Sequence, residues 1–138
     1  MKNYKTPSTA PSTLNEPLAP YGSANYFELA NQAMSKNYIK EILSITRLSL
    51  AELMEIIPIS IDTYKRKKEF GPAVTEKILE LEEVYRKGLE VFEGGFYSWM
   101  DAKNAALGNI KPKKLLVNSF GVRRLLDELG RIEHGVLA

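Results

Sequence analysis

The sequence predicts an all-α fold, a helix-turn-helix bundle followed by a small helical domain. Three observations carry that prediction. From Asn25 onward the apolar residues recur at helical spacing, which puts them on one buried stripe of each segment. Stop signals (Pro58, Phe70-Gly71-Pro72, Gly94-Gly95, Gly108-Asn109 and Gly135) fall between those stripes rather than inside them. No segment alternates apolar and polar residues between hairpin signals, so no strand is expected.

The elements follow in chain order. Residues 1–24 hold four of the seven prolines, interleaved with Thr6, Ser8, Thr9, Ser12 and Thr13. Such a stretch buries too little apolar area to offset its ordering entropy, and it reads as a disordered tail. Asn25 and Glu28 have the spacing of a capping box for a short helix through Phe27, Leu29, Ala30 and Met34. Ile39, Ile42, Leu43 and Thr46 place a second helix at about Lys36 to Arg47. Ser49 caps a third, with Leu50, Leu53, Met54 and Ile57 apolar, and Pro58 ends it. Ser60 caps a fourth, Ile61 to about Lys68.

The longest stripe, Val74, Ile78, Leu81, Tyr85, Leu89 and Phe92, predicts a helix that Gly94-Gly95 breaks. Another helix is expected over Phe96 to Leu107, and a further one opens on Pro112. The last is capped by Ser119 and carries Val122, Leu125, Leu126, Leu129 and Ile132. Gly121 and Gly130 are positions where a second helix can approach closely. The expected organisation is a tail over 1–24, a DNA-binding unit over 25–92 and a second unit over 93–138.

Composition narrows the chemistry. The 138 residues include no Cys and one His, His134, so disulfides, thiolate nucleophiles and His-rich or thiolate metal sites are not expected. No apolar run approaches the roughly 20 residues that span a bilayer, and no signal-peptide core follows the N-terminus. A cytoplasmic chain without a membrane partner is expected. Catalysis would rest on carboxylates, Lys, Tyr or the single His. Glu133 and His134 are the nearest thing to an acid/base pair, but adjacent helical positions diverge by about 100° and do not converge on one proton. With no Gly-rich phosphate loop, no enzyme, cofactor or small-molecule substrate is expected.

A net charge of +2 is too small for a general nucleic-acid coat, so its distribution matters more. Cations cluster at Lys65, Arg66, Lys67 and Lys68, and again at Lys111, Lys113, Lys114, Arg123 and Arg124. Between them lies an acidic run, Glu76, Glu80, Glu82 and Glu83. Taken singly, each run also fits a solvated helix face.

Two short helices with a tight connection, the second one basic, form the arrangement that lays a helix in the DNA major groove. The first is Leu50 to Ile57, the turn Pro58-Ile59, and the second Ser60 to Lys68. Ile59 plugs the turn, while Leu53, Ile57 and Tyr64 anchor the pair. Ser60, Asp62, Thr63, Lys65, Arg66, Lys67 and Lys68 are then the candidate DNA-binding residues. Ser60 and Thr63 suit phosphates or base edges, and the planar fork of Arg66 suits guanine. Lys65, Lys67 and Lys68 add affinity without sequence information. Two departures stand out. Pro58 occupies a turn position where Gly is usual and cannot take a positive φ. Ile61 is apolar where a polar residue is usual, fitting either a thymine methyl or a protein interface.

The C-terminal third carries a sharper pattern: Phe96, Trp99 and Met100, then Ala106-Leu107-Gly108, Pro112, Leu115-Leu116, Gly121 and Leu129-Gly130-Arg131-Ile132-Glu133-His134-Gly135. In order and spacing this resembles the toxin-binding domain of the Xre/MbcA/ParS antitoxins, and the segment from near Leu48 to Lys67 resembles their Xre-type helix-turn-helix. The resemblance covers about 90 residues, from near Leu48 onward. It implies an antitoxin that neutralises a RES-domain, NAD-consuming toxin and represses its own operon by binding operator DNA. It also implies that Arg131, Glu133, His134, Gly135, Val136, Leu137 and Ala138 reach the toxin's cleft. Without the resemblance, Arg131 and Glu133 would read as solvated charges and His134 as a dipole-matched C-terminal residue. A homodimer is expected, because one basic helix makes few phosphate contacts. The competing reading is a plain helix-turn-helix regulator whose C-terminal part only dimerises.

Overall fold

The computed structural model describes residues 13–17 and 26–135. The all-α expectation holds for the architecture: seven α-helices build the described part, with one small sheet added. The elements are β1 (Thr13–Leu14), α1 (Tyr26–Leu29), β2 (Ala33–Ser35), α2 (Lys36–Thr46), α3 (Leu50–Met54), α4 (Ile61–Arg66), β3 (Glu69–Phe70), α5 (Pro72–Phe92), α6 (Phe96–Asp101) and α7 (Ser119–Glu133). Short 3₁₀ turns at Glu93–Gly95, Ala105–Leu107 and Pro112–Val117 link the last three helices.

The sheet corrects two expectations. Thr13 and Leu14, assigned by composition to the tail, pair in parallel with Ala33 and Met34. Leu14 is buried, which holds them there. Met34, expected on a helical stripe, lies in β2 and pairs antiparallel with Phe70 of β3. Strands of two or three residues are too short to show alternation. The proposed cap Asn25 lies outside the described residues, as does most of the expected tail.

Capping sets most helix starts. Ser35 accepts from the Tyr38 amide to open α2. Ser49 and Glu52 form a full capping box at α3, and Ser60 accepts from the Thr63 amide at α4. At α7 the cap is Asn118, not the expected Ser119, and its side chain accepts from the Gly121 amide. Ser119 instead occupies the first helical position, where its hydroxyl donates to Glu80 at 2.7 Å and accepts from Lys77 at 3.2 Å. The helix expected over Phe96 to Leu107 is shorter: α6 stops at Asp101, and a separate 3₁₀ turn ends at Gly108 with φ +85°.

Helix α5 is the spine. Its buried side includes Val74, Ile78, Leu81, Val84 and Tyr85, and it packs against α2, α6 and α7. Tyr85 meets Phe96 edge-on with ring centroids 5.2 Å apart, directly across the Gly94-Gly95 break. One core therefore runs through both halves, from Leu14 and Met34 to Leu125 and Leu129. At Gly88 a methyl group would strike the Phe96 ring, so the missing side chain is what lets α6 fold back against α5.

Glu82 departs from the reading of the acidic run as a solvated face, because it is buried. It accepts from the Tyr38 hydroxyl and from the Tyr26 hydroxyl at 3.3 Å, and pairs with Arg86 at 2.7 Å. The group thus ties α1, α2 and α5 together with its carboxylate satisfied. Burial, followed by the Glu82 charge, pushes the Tyr26 hydroxyl up to about 12. Burial, then the hydrogen bond to Glu82, pushes the Tyr38 hydroxyl up as well.

Candidate functional site

Helices α3 and α4 form the paired-helix unit, with a differently built connection. Regular α3 ends at Met54, and the amides of Ile56 and Ile57 bond to the Leu53 carbonyl. No residue from Glu55 to Ser60 has a positive φ, so the turn accommodates Pro58 without the left-handed residue that Gly usually supplies. Leu53, Ile57 and Tyr64 are buried as the anchors, and Ile59 packs partly against the core. Ile61 is half-buried.

The candidate DNA-binding residues divide by position. Asp62, Lys65, Arg66, Lys67 and Lys68 are exposed, and Thr63 is half-buried. Only Lys65 and Arg66 belong to the last turn of α4, because Lys67 is already extended and leads with Lys68 into β3. The Ser60 hydroxyl is engaged locally: it caps the helix and donates to the Thr63 hydroxyl at 3.0 Å. Lys36, which the sequence reading missed, bonds the Lys65 carbonyl at 2.9 Å and lies over the Tyr64 ring at 5.0 Å. Its ammonium adds to the basic end of α4 while satisfying a last-turn carbonyl. Its only signal was its place beside the Ser35 cap.

The C-terminal residues are placed by α7, which packs on α5 and on the Pro112–Val117 turn. Phe96 and Met100 are core residues as expected. Trp99 is half-buried and stacks on Phe92 at 5.2 Å and Phe96 at 5.8 Å. Gly121 sits against the Leu115 backbone, where a methyl group would collide with the Leu115 carbonyl, whereas Gly130 has open space around it. Of the two close-approach candidates, only Gly121 is one.

The candidate toxin-binding residues stand at the exposed end of α7, two of them already paired. Arg131 makes a two-pronged contact with Glu128, one turn back. Glu133 accepts from Lys87 of α5, and that hydrogen bond holds its carboxyl below the usual range. His134 is exposed and closes the helix, its amide bonding to the Gly130 carbonyl at 3.0 Å. Gly135 takes φ +64°, the left-handed conformation that ends a helix and that glycine adopts without strain. Val136, Leu137 and Ala138 lie outside the described residues.

One member of the second basic set is not a free surface charge. Lys113 bridges Glu52 of α3 at 2.8 Å and Asp101 of α6 at 3.1 Å. The Glu52 carboxyl is lowered chiefly by the Lys113 hydrogen bond, then by the Ser49 amide. Beside this bridge lies a cleft of about 340 Å³, with Leu48, Glu55 and Ile56 on one wall and Lys111, Leu116 and Val117 on the other. The helix pair and the C-terminal helices thus meet along a charged seam. Among the described residues no cluster of His, Asp or Glu could hold a metal ion, and no helix is long and apolar enough to cross a membrane.

Two comparisons bear on this arrangement. The profile of the antitoxin Xre/MbcA/ParS C-terminal toxin-binding domain matches residues 88–135, from the last turns of α5 through α7. The "Antitoxin Xre" of Photorhabdus laumondii subsp. laumondii is 22% identical over 117 residues, covering 80% of this chain and 79% of that protein. The domain match contains α6, the 3₁₀ turns and α7, and the longer alignment takes in most of the rest. Residues 88–135 are thus similar to the toxin-binding domain of the Xre/MbcA/ParS antitoxins, and the chain over most of its length is similar to an Xre-type antitoxin.

Proposed function

We propose that the chain neutralises a RES-domain, NAD-consuming toxin by occluding its active site with the end of α7 and the residues after it. Through α3 and α4 it represses its own operon as a homodimer in the cytoplasm, and it catalyses no reaction itself. The supporting observation is the exposed terminal turn of the toxin-binding domain, where Arg131, His134 and Gly135 face solvent. A charged side chain is worth most to such an interface when partner groups desolvate and pair it. Arg131 and Glu133 keep local partners, so docking exchanges or shares those contacts. The basic end of α4 is a separate surface, which fits one protein holding toxin and operator at different places.

Co-expression with the toxin, affinity purification and an NAD-consumption assay test this reading. The full chain is expected to form a stable complex and stop NAD loss. Truncation after Gly130 should leave a folded helical protein, since it removes only Ile132 of the apolar stripe, and should abolish neutralisation. Arg66→Ala should weaken operator binding and spare toxin binding. Full protection by the truncated chain would sink the occlusion mechanism. No complex at all would leave a DNA-binding regulator.

A further inference from the structure

Two exposed aromatic features on this molecule complement each other. The first is a knob: Phe120, at the start of α7, is 74% exposed. The Arg123 guanidinium lies 5.4 Å from its ring centre, and Lys114 and Arg124 line the same surface. Among the described residues neither Lys114 nor Arg124 has an ion-pair partner. The second is a groove of about 210 Å³ between α1 and α5, with Phe27, Ala30 and Leu79 in its walls and Glu76 and Glu83 at its rim. Phe27 is 83% exposed. Partial burial, then the neighbouring Glu80, raises the Glu83 carboxyl, so an added cation would relieve it.

The two features adjoin. Glu80 also lines the groove, and its carboxylate accepts from Ser119, the residue before Phe120. Yet Phe120 leaves its own groove unfilled. Exposed apolar patches with charged rims mark interaction surfaces, and opposite charges fix the partner and the register. A two-fold contact requires each copy to offer both halves of a self-complementary surface, which this one does.

We propose that this chain pairs with a second copy about a two-fold axis near the Ser119–Glu80 contact. Each Phe120 seats in the other copy's α1–α5 groove, and Lys114, Arg123 and Arg124 face the other copy's Glu76 and Glu83. This rests on the dimer in the functional reading above and supplies its surface.

Sedimentation velocity of the full chain over a concentration series tests it, with circular dichroism confirming that each variant is helical. The full chain should dimerise, and Phe120→Asp should raise the dimer dissociation constant at least tenfold. The double variants Arg123→Glu/Arg124→Glu and Glu76→Lys/Glu83→Lys should each be monomeric alone. Their equimolar mixture should regain the dimer, because both contacts then again join opposite charges, and that rescue would show both variants folded. A chain monomeric at every concentration would overturn the surface and the dimer alike. A dimer indifferent to all three variants would overturn the surface alone. If the dimer persists while Phe120→Asp loses toxin capture, the knob belongs to the toxin and the proposal fails.

Discussion

Glu82 shows how much one side chain can organise. Its carboxylate is buried and takes hydrogen bonds from two tyrosines on two other elements, with Arg86 supplying the opposite charge. Removing one partner from such a group costs more than the pair is worth, because the remaining charge stays desolvated. The tyrosines carry a pH dependence of defined sign. The folded-state pKa of Tyr26 lies near 12 against an ordinary 10.0, so its contribution is fully present below pH 10 and is lost as pH rises toward 12. Alkaline titration followed by circular dichroism and tyrosinate absorbance should show helix loss in that window. Tyr26→Phe should flatten the fall, and at neutral pH should cost roughly 1–3 kcal/mol, because the buried Glu82 carboxylate is left one donor short.

At the scale of elements, two glycines of α7 make opposite predictions from the same substitution. Gly121→Ala drives a methyl group into the Leu115 backbone, which cannot rotate away as a side chain can. It should cost at least the roughly 1–3 kcal/mol of an overpacked core and loosen the Pro112–Val117 turn. Gly130→Ala meets nothing and should add about 0.5–1 kcal/mol, the gain of Ala over Gly inside a helix. Urea denaturation of the two variants checks both signs. Helices were the legible part of this sequence, since Ser49 and Ser60 announce their own starts and the α5 stripe repeats over many turns. The sheet was not legible, because Thr13–Leu14 and Glu69–Phe70 have no room for a period and take their pairing from tertiary contact. Asn118 and Ser119 are both good caps, and neighbouring alternatives of that kind are decided only by packing on α5. For the site, the exposure of the α4 cations followed from the apolar anchors opposite them. Lys113 could not be told from its basic neighbours, because its partners are distant in sequence.

For the whole molecule, the seam bridged by Lys113 joins the helix pair to the C-terminal helices. Its charges are partly exposed, so each ion pair should contribute no more than about 1 kcal/mol to global stability. Its effect should be local. Lys113→Met is expected to leave the unfolding midpoint almost unchanged while speeding amide exchange across Ser49 to Ile57, read by hydrogen-exchange mass spectrometry. Unchanged protection there would mean that Leu53 and Ile57 hold the pair without help from the seam.

The stack of Phe92, Phe96 and Trp99 also gives the protein a native optical reporter. Trp99 is the sole tryptophan, half-buried where α6 folds back on the end of α5, so its emission follows that joint above all. Far-ultraviolet circular dichroism, by contrast, sums every helix. If the two signals change together on denaturation, the shared α5 spine makes both halves unfold as one unit. If the emission changes first, the C-terminal helices peel away while the capped helices around β2 still stand.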